Sequence, residues 1–80
     1  MFINKAKDGR NNLCGKKITV LRKQAGMSQR MVADQMQLLG IDIDKNAVQR
    51  IEAGQRFVTD IELRAFARFF GVPVEELIRD

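Results

Sequence analysis

The stretch DIDKNAVQRIEAGQR, residues 42–56, decides the fold, because it reads as a short polar helix with clear signals at both ends. Asp44 suits the N-cap position, where its carboxylate can accept hydrogen bonds from first-turn amides and is favoured by the helix dipole. Gly54 supplies the left-handed residue that commonly ends a helix. A helix over residues 45–53 is therefore predicted. So short a helix needs packing to hold it, and its narrow apolar seam consists of Ala47, Val48 and Ile51.

A first helix is predicted upstream, with Asn11 or Asn12 as its cap and Gly26 at its end. Its apolar residues recur at spacings of four, three and four, which places them on one stripe. Residues 1–11 mix polar groups with Gly9 and show no helical period, so an extended or frayed, flexible arm is predicted there. The stripe consists of Cys14, Ile18, Leu21 and Ala25.

The second helix is predicted to begin after Ser28, a good N-cap, and to end at Gly40. The connection between the first two helices is only Gly-Met-Ser, so the second helix must pack directly against the first at a steep angle. Ile41 and Ile43 are predicted to fill the space beneath the polar helix that follows. The shared apolar face of the second helix consists of Val32, Met36 and Leu39.

Two more helices are predicted after the quoted stretch. Thr59 followed by Glu62 forms a Thr-x-x-Glu capping box, and the helix it begins runs to Gly71. Pro73 is expected at the first position of a short last helix, where proline is tolerated. The apolar residues of these two helices are Leu63, Phe66, Ala67, Phe70, Leu77 and Ile78.

Length and composition favour a single all-α domain. Eighty residues suffice for one small core, and the apolar residues are mainly aliphatic with five Phe and no Trp or Tyr, which suits helix-on-helix packing. The chain is therefore predicted to form a compact five-helix domain over residues 12–80, preceded by the arm over residues 1–11.

The cysteine and histidine content excludes several classes of protein. With Cys14 as the one cysteine and no histidine, an internal disulfide is impossible, and neither a zinc site nor an activated nucleophile or general base is expected. Cys14 is interpreted as a small buried hydrophobe. Residues 1–4 lack the apolar run of a signal peptide, and no stretch could span a bilayer. We therefore expect a cytoplasmic protein that is not an enzyme and has no cofactor, metal ion or small-molecule ligand.

The positive charge is concentrated in the N-terminal half. Residues 1–30 hold eight Lys and Arg against Asp8 alone, whereas residues 60–80 hold three against five Asp and Glu. This polarity favours a polyanionic partner, although a solvated basic tail explains Lys5, Lys7 and Arg10 equally well. Charge alone leaves both interpretations open.

The quoted helix has the side chains that major-groove recognition uses. Lys or Arg pairs with guanine and Asn or Gln with adenine, because these side chains match the donors and acceptors of the base edges. Two short helices joined by a tight turn, the second polar at its N-terminal end, have the geometry of a helix-turn-helix. Taken singly, each side chain would be an ordinary solvated surface residue. The candidates for base contact are Lys45, Asn46, Gln49 and Arg50.

The order of three segments resembles a known family. LRKQAGMSQ at 21–29, VQRIEAGQR at 48–56 and LRAFARFFGVPVEELI at 63–78 are similar to the phage-repressor-type, or xenobiotic-response-element, helix-turn-helix family. The resemblance implies a lambda-repressor-like five-helix fold that binds double-stranded DNA. The segment between Gln29 and Lys45 is longer than in the family's common form, which is expected to lengthen the second helix or the loop after it.

The resemblance also implies residue roles. Lys45, Asn46 and Arg50 match base-facing positions, and Gln49 lies beside them. Gln29, which would also buttress the recognition helix, and Arg56 match positions that contact the DNA backbone. Arg30 is expected to contact the backbone as well.

A structural ion pair is implied as well. Arg22 and Glu52 match a pair that ties the first helix to the recognition helix in the family.

The sequence thus predicts a transcriptional regulator, a repressor, that reads the major groove as a homodimer or by assembly of two copies on DNA. Phe69, Val74 and Leu77 are candidates for the dimer surface, and Met1 to Arg10 for a basic arm on the DNA. The alternative is a protein-interaction module, such as the DNA-binding antitoxin of a toxin-antitoxin pair. RNA binding is less favoured, since no aromatic stacking platform is evident.

Overall fold

The computed structural model describes residues 5–79, which form five helices and no strand. The prediction of an all-α five-helix domain is confirmed. In this part of the chain, no helix is both long and apolar enough to cross a lipid bilayer. The helices are α1 (Gly15–Gln24), α2 (Gln29–Leu38), α3 (Lys45–Glu52), α4 (Asp60–Phe70) and α5 (Val74–Ile78).

Three helices begin at the side-chain caps that the sequence predicts. Ser28 accepts a hydrogen bond from the Met31 amide at the start of α2, and Asp44 accepts one from the Ala47 amide at 2.8 Å at the start of α3. The predicted capping box of Thr59 is complete at the start of α4. Each cap satisfies amide groups that the first turn leaves without a partner.

The other two helices begin differently from the prediction. Cys14, and neither Asn11 nor Asn12, is the N-cap residue of α1, although the Asn12 side chain still accepts a hydrogen bond from the Gly15 amide at 2.8 Å. Pro73 is the N-cap residue of α5 and does not occupy its first helical position. Its ψ of 153° is extended, so the helix starts one residue later.

The core lies where all five helices meet, and the side chains buried in it within residues 5–79 are apolar. Cys14 is only 2% exposed, which confirms that it is a buried hydrophobe. Burial raises the pKa of its thiol to about 11, so the thiol stays protonated at neutral pH. The buried hydrophobic residues are Cys14, Ile18, Val32, Ala33, Met36, Ile43, Val48, Ile51, Phe66, Ala67 and Leu77.

Three residues differ in burial from the sequence prediction. Two were expected on apolar helix faces, and one on a dimer surface. Ala25 and Leu39 are exposed, and each is the C-cap residue of its helix, where helical periodicity no longer sets the direction of a side chain. The proposed dimer contact of Leu77 is wrong, because its side chain is fully buried in the core. The other two candidates for a dimer surface, Phe69 and Val74, are half-buried.

The segment between α2 and α3 plugs the core as predicted. Gly40, with φ of +82°, reverses the chain after α2, and the Ile41 amide donates to the Met36 carbonyl at 3.0 Å. Ile43 is fully buried and Ile41 half-buried. The longer connection therefore reaches α3 by burying two isoleucines.

The described part of the N-terminal segment differs from the extended or frayed arm that the sequence favours. The Ala6 amide donates to the Arg10 carbonyl at 2.8 Å, and the Gly9 amide donates to the Ala6 carbonyl at 2.9 Å, which closes a turn. The Asn11 amide then donates to the Gly54 carbonyl at 2.8 Å. Residues 1–4 lie outside the described residues, and the division into an arm and a domain stays a prediction.

Candidate nucleic-acid interface

Helix α3 turns its apolar residues to the core and all its polar residues except Glu52 to solvent. Val48 and Ile51 are fully buried against the core, and Ala47 is half-buried. The opposite face of the helix points to solvent. The exposed residues on that face are the four predicted base contacts, Lys45, Asn46, Gln49 and Arg50.

A shallow polar hollow lies on this exposed face. One of the residues that line the hollow, Gln55, follows the end of the helix and was not a candidate from the sequence. It comes to this face through the turn at Gly54, where the Gln55 amide donates back to the Arg50 carbonyl at 2.9 Å. The hollow is lined by Asn46, Gln49, Arg50, Ala53 and Gln55.

The carboxylate of Glu52 anchors α3 to both preceding helices. The Arg22 Nε and Nη2 donate to its two oxygens at 2.7 Å and 3.0 Å, so the pair implied by the resemblance is bidentate. Arg22 also donates through Nη1 to the Met27 carbonyl at 2.9 Å, and the Gln29 amide donates to Glu52 Oε1 at 3.1 Å. One acidic side chain thus joins α1, α2 and α3.

The ion pair is nearly buried, with 13% of the Arg22 and 7% of the Glu52 side chain exposed. Burial by itself would raise the pKa of the Glu52 carboxyl, but the hydrogen bonds from Arg22 and Gln29 and the charge of Arg22 outweigh it and lower that pKa. The hydrogen bond to Glu52 raises the pKa of Arg22. Both groups are therefore charged at neutral pH.

The C-terminal end of α3 is enclosed by the segment that precedes α1. Side chains and one main-chain amide of this segment donate hydrogen bonds to carbonyl oxygens at the end of α3 and in the following loop. The donors belong to Arg10, Asn11 and Asn12. Sequence reasoning treated the two asparagines only as caps of α1, and the partners lie about 40 residues away in the chain.

The close approach of these segments depends on a glycine inside a helix. A Cβ at Gly15 would collide with the carbonyl oxygen of Ile51 and would lie 2.7 Å from Arg10 Nη2. No side chain larger than hydrogen fits between the first turn of α1 and the end of α3.

Comparison with known families decides the class of protein. A helix-turn-helix family model matches residues 18–77, three quarters of the chain, from α1 to α5. The chain belongs to the helix-turn-helix family. It is of the Cro-like, xenobiotic-response-element type, which confirms the resemblance, and that family consists of DNA-binding transcription regulators. No curated protein and no solved structure matches the chain.

Within this helix-turn-helix, two of the predicted DNA-backbone residues lie at the start of α2. Gln29 is half-buried and donates to Glu52, as described, so its amide buttresses the recognition helix α3. Arg30 is exposed. Contact of either residue with DNA stays a prediction.

The third predicted backbone residue, Arg56, is engaged in an ion pair. Its two terminal nitrogens donate to the carboxylate of Glu62 at 2.9 Å and 3.0 Å, and one of them also donates to the Phe57 carbonyl. The hydrogen bond from Arg56 lowers the pKa of Glu62, against a smaller opposing effect of burial. Arg56 thus holds the helix-turn-helix to the start of α4, and its contact with phosphate stays a prediction.

Proposed function

We propose that the protein is a repressor that binds a specific sequence of double-stranded DNA by inserting α3 into the major groove. The exposed face of α3 carries the proposal, because four polar side chains of the helix point outward while Val48 and Ile51 on the opposite face are fixed in the core. Lys45 and Arg50 can donate to guanine, and Asn46 and Gln49 can form paired hydrogen bonds with adenine.

One acidic residue, Asp44, directly precedes α3. Asp44 uses its carboxylate to cap α3. Arg30, in the exposed first turn of α2, offers a positive charge to a phosphate, as do Lys45 and Arg50 at the groove itself.

Two copies are needed for useful specificity. A recognition helix of eight residues reaches few base pairs, so we expect two copies on half-sites about one helical turn apart. The half-buried Phe69 and Val74 are the remaining candidates for contact between copies. Sedimentation of the protein with and without its DNA distinguishes a preformed homodimer from one that assembles on the duplex.

Selection from random duplexes tests the function. We expect the wild-type protein to enrich a palindromic sequence and to bind it more weakly as the salt concentration rises. The Asn46→Ala/Arg50→Ala double variant should lose that enrichment. Gln24→Ala/Arg68→Ala is the matched control, because it also removes one amide and one guanidinium from exposed helical positions. If nothing is enriched, or if the double variant selects the same sequence, the polar face serves a protein partner instead.

A further inference from the structure

The carbonyl groups at the end of α3 have hydrogen-bond partners both in the turn that follows and in the segment before α1. The last carbonyl groups of a helix have no partner within the helix and ordinarily face water. Here the Gly54 amide donates to the Ile51 carbonyl at 3.0 Å, and the Gln55 amide donates to the Arg50 carbonyl. These two bonds turn the chain back over the helix end.

Asn12 connects this turn to the start of α1. Its Nδ2 donates to the carbonyl oxygens of Ile51 at 3.0 Å and Arg56 at 2.8 Å, so it joins the last turn of α3 to the loop beyond it. Its Oδ1 accepts from the Gly15 amide. Every polar atom of this side chain is therefore used in joining α1, α3 and the loop.

Arg10 adds a positive charge at the same place. Its Nη2 donates to the Glu52 carbonyl at 2.6 Å, at the end of the helix that carries the negative part of the dipole. Its guanidinium also packs against Gly54, where a Cβ would lie 2.7 Å from Arg10 Cζ. A charged group and a close backbone contact thus fix the helix end.

Asn11 holds the main chain at Gln55. Its own amide donates to the Gly54 carbonyl, and its Nδ2 donates to the Gln55 carbonyl at 3.0 Å. Its Oδ1 is buried and has no hydrogen-bond partner within residues 5–79. A buried acceptor without a partner is costly, and the bond that the Asn11 side chain donates to Gln55 offsets part of that cost.

These contacts determine where the chain places Gln55. The main-chain N–H of Gln55 donates to the Arg50 carbonyl, and its main-chain carbonyl accepts from the Asn11 side chain. The Gln55 side chain lines the polar hollow beside Asn46 and Gln49. The main chain from which this side chain extends is therefore held beside the polar face of α3 before any DNA is bound.

We propose that Arg10, Asn11 and Asn12 form a clamp of positioning residues. The clamp holds Gln55 where its side chain can contact DNA. This inference rests on the proposed function. Gln55 contacts the sugar-phosphate backbone beside the bases that Arg50 reads, and the clamp fixes how α3 sits in the groove. Contacts to phosphate position a protein on DNA, whereas base contacts specify the sequence, so loss of the clamp weakens binding to all sequences alike.

The test is a double-mutant cycle on the selected duplex, with Asn11→Ala, Gln55→Ala and the two combined. We expect Gln55→Ala to weaken binding about tenfold and Asn11→Ala about fivefold, with the combination no weaker than Gln55→Ala alone. Because neither side chain is charged, the salt dependence should stay that of the wild type. Gln24→Ala, another exposed amide, is the control. Binding is measured well below the lowest melting temperature, so that every variant is folded.

Three results would overturn the clamp. One is that the Gln55→Ala variant binds the selected duplex as tightly as the wild type does. Another is a lower melting temperature of Asn11→Ala with unchanged affinity, which would make the clamp merely stabilising. The third is additive losses in the combined variant, which would show that Asn11 does not act through Gln55. The Asn46→Ala/Arg50→Ala variant is measured beside them, because its wild-type affinity would refute the proposed function itself, and the clamp with it.

Discussion

Helices α3 and α4 differ in which contacts stabilise them, because α4 is held mainly by its own residues and α3 also by distant parts of the chain. Helix α4 has eleven residues, its own capping box and a face that carries Phe66 and Ala67 into the core. Helix α3 has eight residues and also buries two of them, Val48 and Ile51, but it has fewer half-buried apolar residues beside them than α4 has. What α3 lacks locally is supplied from other parts of the chain, by the Glu52 ion pair and by the clamp. A helix can therefore keep a polar face exposed to solvent when distant residues hold it.

The largest expected effect is the loss of the α3 ion pair. Glu52→Ala leaves Arg22 nearly buried without its partner, which should cost about 3 kcal/mol of unfolding free energy and lower the melting temperature by more than about 10 °C. Glu62→Ala removes the corresponding bidentate partner at the start of α4 and should cost less, since Arg56 there is 31% exposed. Thermal and denaturant unfolding of both variants measure the difference, and an unchanged melting temperature of Glu52→Ala would refute the account.

A smaller effect is expected where α1 approaches the end of α3. Gly15→Ala should destabilise the protein by roughly 1–3 kcal/mol, because the added Cβ collides with the Ile51 carbonyl. Intrinsic propensity predicts the opposite, a gain of about 0.5–1 kcal/mol for alanine inside a helix. The sign of the change in denaturant unfolding therefore decides whether the contact between α1 and α3 is as close as the structure has it.

The two carboxylates also predict how stability depends on pH. The pKa values of Glu52 and Glu62 are lowered from the ordinary 4.5 by their arginine partners, with Gln29 helping at Glu52. A carboxyl with a lowered pKa in the folded state stabilises the protein fully above its unfolded value and loses that contribution as the pH falls through the folded value. Unfolding free energy should therefore decrease below about pH 4.5.

The glutamine variants separate the two contributions. Glu52→Gln and Glu62→Gln should each be less stable than the wild type at neutral pH and should each show a shallower decrease in acid, because one titrating group is gone. A decrease as steep as that of the wild type in both variants would assign the acid sensitivity to other groups.

The contrast between the helices also explains what the sequence could predict. The caps at Ser28, Asp44 and Thr59 involve partners three residues away, so local pattern identifies them. The Arg22–Glu52 pair spans 30 residues and was inferred only from the resemblance to a family. The clamp was missed, because an asparagine near a helix start gives no local sign of a partner about 40 residues away.

The boundaries of helices limited the remaining predictions. Ala25 and Leu39 fit the apolar period of their helices, yet each lies at the residue where the helix stops. Gln55 was overlooked for a related reason, since it follows the end of α3 and comes to the polar face only through the turn at Gly54.

The most direct measurement replaces purine N7 atoms, which are exposed in the major groove, by carbon at the enriched positions of the selected duplex. Each bidentate contact to a purine is worth about 1–3 kcal/mol, so the wild-type protein should lose about tenfold or more in affinity. The Asn46→Ala/Arg50→Ala variant, which keeps only Lys45 and Gln49 of the four proposed base contacts, should discriminate less between the normal and modified duplexes than the wild type does. Equal binding of both duplexes by the wild-type protein would contradict recognition through α3 in the major groove.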